Sequence, residues 1–167
     1  MVSKKDLRLI VILRYLTDEM LDKLIPVTEQ LIFEEGEVIF KEGNLADWFY
    51  MLKRGKILLE KRISDHVTVS LGAIKPGYSF GWSAVLDGGP YTSDAVSAET
   101  SEIFSIKREL IVPLLENDHH MGNVLTQRFL REVKSRLDRR TEQFLRSVKS
   151  HPDMDVLLDD TFDPIRD

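Results

Sequence analysis

The stretch with the most obvious chemical potential is "FGWSAVLDGGPYTSDAVSAE", Phe80 to Glu99. It opens on small residues beside a glycine, runs through Gly88-Gly89-Pro90, and re-enters strand-like sequence at Ala95. That is the layout of a loop that holds a phosphate on backbone N–H groups. Such loops usually add a cation, because an arginine–phosphate pair is charge-assisted and often bidentate. Here there is neither Arg nor Lys. A small anionic ligand is the class that the layout suggests.

Other chemistry finds less support. The chain has no cysteine, which excludes a thiol nucleophile, a disulfide framework and any Cys-ligated metal. A metal-dependent β-roll enzyme needs clustered inward-facing histidines. His66 stands alone in a turn, and the adjacent His119 and His120 point in different directions. No G-x-S-x-G occurs, so Ser83 reads as a helix-start residue or ligand contact rather than a nucleophile. No catalytic residue, metal or enzymatic activity is assigned.

The elements that must position the loop follow from periodicity. Residues 5–24 read as helical, with Leu9, Ile10, Leu13, Leu16, Met20, Leu21 and Leu24 at spacings of three and four. Thr17 is the N-cap of a second short helix within that stretch, and Pro26 ends it. From residue 28 the texture becomes short apolar runs punctuated by glycine, as in an antiparallel sandwich or barrel. "WFYML" (48–52), "KILLEK" (56–61), "VTVSLG" (67–72) and "SEIFSI" (101–106) are the clearest strands, with a hairpin turn near Ser64-Asp65. Residues 108–118 form a short helix containing Pro113, and 121–150 a long one of ~45 Å at 1.5 Å per residue.

The expected fold is mainly β: a double-stranded β-helix, or jelly-roll barrel, with N-terminal helices and a long C-terminal helix. Its parts are an N-terminal helical segment (1–28), the β-roll (29–107), the C-terminal helices (108–150) and an acidic tail (151–167). The tail is expected to be loosely ordered, with "MDVLLDD" as a piece that docks. At 167 residues and a net charge of −5 with mixed signs, one domain with a core of ordinary size is expected. No general attraction to nucleic acid or anionic lipid follows from that charge. The apolar run "LRLIVILRYL" is about ten residues, whereas a membrane span needs ~20. It reads as a core-facing helix, and the chain as cytoplasmic.

In its order of motifs the chain resembles the cyclic nucleotide-binding domain family, which includes the catabolite activator protein type, protein kinase A regulatory subunits and gated channels. The resemblance covers about residues 10–148. It rests on "GEVIFKEGNLADWFYMLKRGKILL" (36–59), "IKPGYSFG" (74–81), the opening loop and a long final helix. It implies that the loop and its short helix enclose a ribose and a cyclic phosphate. It also implies a Glu after Gly81 for the ribose hydroxyl and an Arg before the next strand for the phosphate. Trp82 and Thr92 stand at those positions, with Ser93 beside the latter, so the ligand-binding residues that the resemblance implies are Gly81, Trp82, Ser83, Ala84, Thr92 and Ser93. Losing one partner of a buried ion pair costs ~3–5 kcal/mol, or roughly two to three and a half decades of affinity.

Three readings stay open at this point. The pocket takes another small ligand; it is collapsed around Trp82 and only dimerises; or residual cyclic nucleotide binding survives through Arg128, Arg131 or Arg136. The resemblance implies that a ligand biases the long helix between two poses. That helix, 121–150, carries a stripe of Leu130, Val133, Leu137, Phe144 and Val148 that suits a homodimer seam, interrupted by Arg140. The alternative for the stripe is packing on its own roll. Relatives of the activator type carry a helix-turn-helix after this helix, but the residues after Ser150 are acidic and fit no recognition helix. Direct nucleic acid binding by this chain is therefore not expected.

Overall fold

The computed structural model of the chain describes residues 2–151. The expectations for the tail beyond them lie outside the described residues. The chain divides into two compact units, Met1–Leu125 and Thr126–Asp167.

The first unit begins with α1 (Lys4–Leu7), closed by a capping box in which Ser3 and Asp6 satisfy each other's backbone N–H. Helix α2 (Asp18–Leu24) has Thr17 as its N-cap, accepting from the Met20 N–H at 3.3 Å, with Asp18 and Glu19 in the first turn. Residues 5–24 are thus less helical than their spacing suggests. Between the helices only Val11–Leu13 winds, as a 3₁₀ turn. The Val11 N–H leaves the helical path and donates to the Gly77 carbonyl at 2.8 Å, and Ile10, Val11 and Ile12 are β-branched. Ile10, Ile12, Leu13 and Leu16 are all buried. Each such side chain contributes roughly 1.5–3 kcal/mol by leaving water.

Six antiparallel strands follow: β1 (Thr28–Phe33), β2 (Val38–Phe40), β3 (Trp48–Ser64), β4 (Val67–Ile74), β5 (Ser79–Phe80) and β6 (Asp94–Lys107). The order is β1-β6-β3-β4, with β2 on β6 and β5 on β3, as in a jelly roll. The mainly-β roll with helical flanks is therefore present. The two predicted strands 48–52 and 56–61 are one strand of 17 residues. Gly55 does not break it but bends it, at φ +97° beside register shifts on β6. A Cβ there would lie 2.7 Å from the Ser101 Cα, so only glycine fits. The hairpin turns between Ser64 and Val67, where expected.

Lys107 leads into α3 (Arg108–Asn117), which holds Pro113 inside it, and then α4 (His119–Lys149). Asp118 caps α4, accepting from the Met121 N–H at 2.9 Å, while Lys23 Nζ sits 2.6 Å from its other oxygen. Lys23, then the Met121 N–H, hold its carboxyl below the usual range. The corner is tight: a Cβ on Gly122 would lie 2.6 Å from the Leu115 carbonyl oxygen.

Candidate functional site

The quoted loop grows directly out of the sheet. Strand β5 pairs Phe80 with Tyr50 and Ser79 with Met51 of β3. Gly81 then turns the chain into the left-handed region, φ +71° and ψ 34°, and starts a 3₁₀ turn over Trp82–Ala84. A side chain at 81 would meet the Trp48 carbonyl at 3.1 Å and the Tyr50 ring at 3.0 Å. The turn closes when the Val85 and Leu86 N–H groups donate to the Trp82 carbonyl (2.9 and 3.0 Å) and Gly88 N–H to the Ser83 carbonyl (2.8 Å).

The far arm of the loop is laced to residues 43–46. Tyr91 N–H donates to the Asn44 carbonyl, Gly43 N–H to the Tyr91 carbonyl (both 2.9 Å), and Ala46 N–H to the Gly89 carbonyl (3.2 Å). The Tyr91 hydroxyl donates to the Trp48 carbonyl at 2.7 Å and accepts from its N–H at 3.2 Å. The Tyr91 ring stacks on Phe40 (centroids 3.8 Å), and Tyr50 stacks on Phe80 (5.2 Å), with Phe40 and Tyr50 joining the pairs at 5.7 Å. Burial raises the phenol pKa of both Tyr50 and Tyr91 above the ordinary value.

A cation does reach the loop, from outside its sequence. Arg108, at the β6–α3 junction, donates from Nη1 to the Ala84 carbonyl, and its backbone N–H donates to the Asp47 carbonyl at 2.8 Å. Its guanidinium lies under Gly88, where a Cβ would be 2.5 Å from Cζ. Beside it opens a cavity of about 580 Å³ lined by Asp47, Trp48, Lys107, Arg108, Glu109, Val112 and Pro113. Lys107 lies over the Trp48 ring there, 5.3 Å from its centroid.

The predicted ligand residues divide by environment. Ala84 is fully buried, and its N–H is spent on the Gly81 carbonyl at 3.2 Å. Ser93 is buried. Gly81, Trp82 and Ser83 are half-buried, and Thr92 is exposed. The Trp82 indole N–H donates to the Ser79 hydroxyl at 2.9 Å, on a residue with no exposed surface. Asp94, just past the loop, accepts from the Glu42 N–H at 2.6 Å. Sequence reasoning missed Arg108, because the carbonyl its guanidinium meets lies 24 residues upstream.

Among the described residues no three His, Cys, Asp or Glu side chains cluster in a metal-holding arrangement. His66 is exposed in the β3–β4 turn, and His119 and His120 are exposed at the start of α4. No described helix is long and apolar enough to cross a membrane.

A family model, "Cyclic nucleotide-binding domain", matches residues 30–118. A solved protein from Geobacter metallireducens GS-15, designated cyclic nucleotide-binding, aligns at 31% identity with a TM-score of 0.73. The match covers 82% of this chain and 99% of that one. The cyclic AMP receptor protein of Thermus thermophilus is 28% identical over 127 residues, 74% of this chain and 58% of that protein. A cAMP-dependent protein kinase regulatory subunit of Yarrowia lipolytica is 28% identical over 100 residues, 60% of this chain and 25% of that protein. The chain thus spans less than two thirds of the length of either curated relative.

Proposed function

The chain belongs to the cyclic nucleotide-binding domain family of regulatory domains, and on that premise we propose a non-catalytic sensing module whose ligand is not held by a carboxylate and a cation. The observation that carries this reading is the loop itself. Its backbone is braced at Gly81, Tyr91 and Gly88, while Trp82 and the exposed Thr92 stand where family chemistry needs Glu and Arg. Cyclic AMP or cyclic GMP would meet a bulky indole and no guanidinium at these positions. The ligand set is Gly81, Trp82, Ser83, Thr92 and Ser93, with Thr92 and Ser83 offering hydroxyls and Trp82 a flat wall, over a floor to which the fully buried Ala84 belongs. A small anion is held by hydroxyls and N–H groups in this reading.

Output runs through α4 to a second copy in the cytoplasm. Supporting this, Leu130 (63% exposed), Leu137 (62%) and Phe144 (66%) stand open to solvent at spacings of seven. A ligand that binds one pose of the helix better shifts the population toward it.

Thermal unfolding across a ligand panel tests the reading. A ligand at 100 times its Kd adds about 2.7 kcal/mol of stability, a shift easily read in Tm. Expected is no shift with millimolar cyclic AMP or cyclic GMP and a shift with at least one other small anion. Micromolar cyclic nucleotide binding would overturn the ligand assignment. A flat response to the whole panel would favour a different reading, a dimerisation module with Trp82, anchored on Ser79, closing the pocket.

A further inference from the structure

The cavity of about 580 Å³ where β6 gives way to α3 has a chemistry of its own. None of the residues assigned to the loop's ligand lines it, so it stands apart from the reading of the loop. A cavity of this size falls within the range of small-molecule sites, roughly 300–1,000 Å³.

The charged residues of its wall differ in how they are matched. Lys107 and Glu109 answer each other, with Lys107 Nζ 3.6 Å from a Glu109 carboxylate oxygen and 5.3 Å from the centroid of the Trp48 ring. Arg108 and Asp47 have no such match. Among the described residues, neither the half-buried Arg108 guanidinium nor the exposed Asp47 carboxylate has an oppositely charged side chain within ion-pair distance.

Yet the two residues are neighbours, because the Arg108 backbone N–H donates to the Asp47 carbonyl at 2.8 Å. The loop keeps their charges apart. Arg108 Nη1 is committed to the Ala84 carbonyl, and the guanidinium lies against Gly88. A guanidinium presents its N–H donors as a rigid fork, and Ala84 takes one of them. The rest of the fork is open to a carboxylate, which it grips with two parallel hydrogen bonds.

The remaining wall is apolar, made by the half-buried Trp48 indole with Val112 and Pro113. A simple anion would suit Arg108 but be repelled by Asp47, and a simple cation would do the reverse. A ligand carrying both signs on adjacent atoms satisfies both residues. An aromatic or branched body on the same ligand covers the indole, where ring contacts add to the area buried.

We infer that this cavity is a second ligand site, for a free α-amino acid with an apolar or aromatic side chain. The carboxylate sits on the Arg108 fork, the ammonium on Asp47, and the side chain against Trp48 and Val112. Occupancy reaches the loop through Arg108, since the guanidinium that grips the carboxylate also holds the Ala84 carbonyl.

NMR titration of the isotope-labelled full chain tests this at the indole N–H signals of its two tryptophans, assigned with Trp48→Phe and Trp82→Phe. Millimolar L-phenylalanine should shift the Trp48 signal saturably. Phenylpropionate and phenethylamine each lack one of the charges, and each should bind at least about fivefold more weakly. Arg108→Gln should weaken L-phenylalanine about tenfold or more, although it also frees the Ala84 carbonyl and can cost stability. Asp47→Asn changes an exposed side chain with no partner to lose, and keeps the test decisive. It should weaken L-phenylalanine about fivefold and strengthen phenylpropionate. The inference is overturned by the absence of a saturable Trp48 shift, by phenylpropionate binding as tightly as L-phenylalanine, or by an unchanged L-phenylalanine affinity in Asp47→Asn. L-Phenylalanine that moves Trp82 while leaving Trp48 in place overturns it too and leaves the reading of the loop standing, so the two fail separately.

Discussion

The loop over residues 80–93 has an inner side and an outer side, and they obey different rules. The inner side is made of Gly81, Ala84, Gly88 and Tyr91, each fixed by close packing or a hydrogen bond. The outer side is made of Trp82, Ser83 and Thr92, which are half-buried or exposed. Changing an inner residue disturbs packed rings and backbone hydrogen bonds. Changing Ser83 or Thr92 alters what a ligand meets and little else, whereas changing Trp82 also gives up its hydrogen bond to the buried Ser79 hydroxyl. The loop's shape and the loop's chemistry are thus separable, and this chain keeps the first while departing from the second.

The sharpest way to test that separation is to rewrite only the outer side. The double substitution W82E/T92R should raise cyclic AMP affinity by ~3–5 kcal/mol, roughly two to three and a half decades by calorimetry, if the cradle is otherwise intact. A variant that folds normally but shows no gain would mean the inner geometry differs from that of nucleotide binders. Next in size is an inner change. Gly88→Ala places a methyl in the left-handed region and displaces the Arg108 guanidinium from the Ala84 carbonyl, costing about 2–3 kcal/mol in urea unfolding.

Tyr91→Phe keeps the ring stack but leaves the Trp48 carbonyl and N–H without the hydroxyl, for about 1–2 kcal/mol. The same residue sets a pH dependence. Buried Tyr50 and Tyr91 have folded-state phenol pKa values raised by burial, so their contribution is complete below the ordinary phenol value of about 10. It is lost as pH rises toward their folded values, because the unfolded chain ionises first. Stability should therefore fall above about pH 10, and less steeply in Tyr91→Phe. The smallest effect belongs to Thr92→Ala, within about 0.5 kcal/mol of the parent stability, since an exposed side chain has little to lose. A large loss there would show that Thr92 belongs to the inner side after all.

What could be read in advance follows a similar division. Thr17 as an N-cap, the hairpin at Ser64-Asp65 and the long final helix are local signals, and each stands in the structure where the sequence puts it. The turn glycine at 81 was legible for the same reason. Gly55 misled, because a glycine between two apolar runs reads as a break, whereas here it permits one long strand to pass close to Ser101. The apolar spacing of residues 8–16 misled too, since Val11 satisfies its N–H on Gly77 rather than along a helix. Arg108 was invisible because its role depends on a carbonyl 24 positions away, and no local pattern encodes that meeting. The pocket's chemistry could be read by residue type at 82 and 92, but the anchoring of Trp82 on Ser79 could not.

The guanidinium lodged beneath Gly88 also governs how this loop can be re-engineered. It acts as a peg that fixes the count of residues from Ala84 to Gly88, because only a glycine in that place leaves room for it. Libraries that vary amino-acid identity at the outer positions should return mostly folded proteins. Libraries that vary the length between 84 and 88 should not, since one inserted residue slides a side chain onto the peg. Swapping recognition on this scaffold is a matter of spelling within a fixed word length.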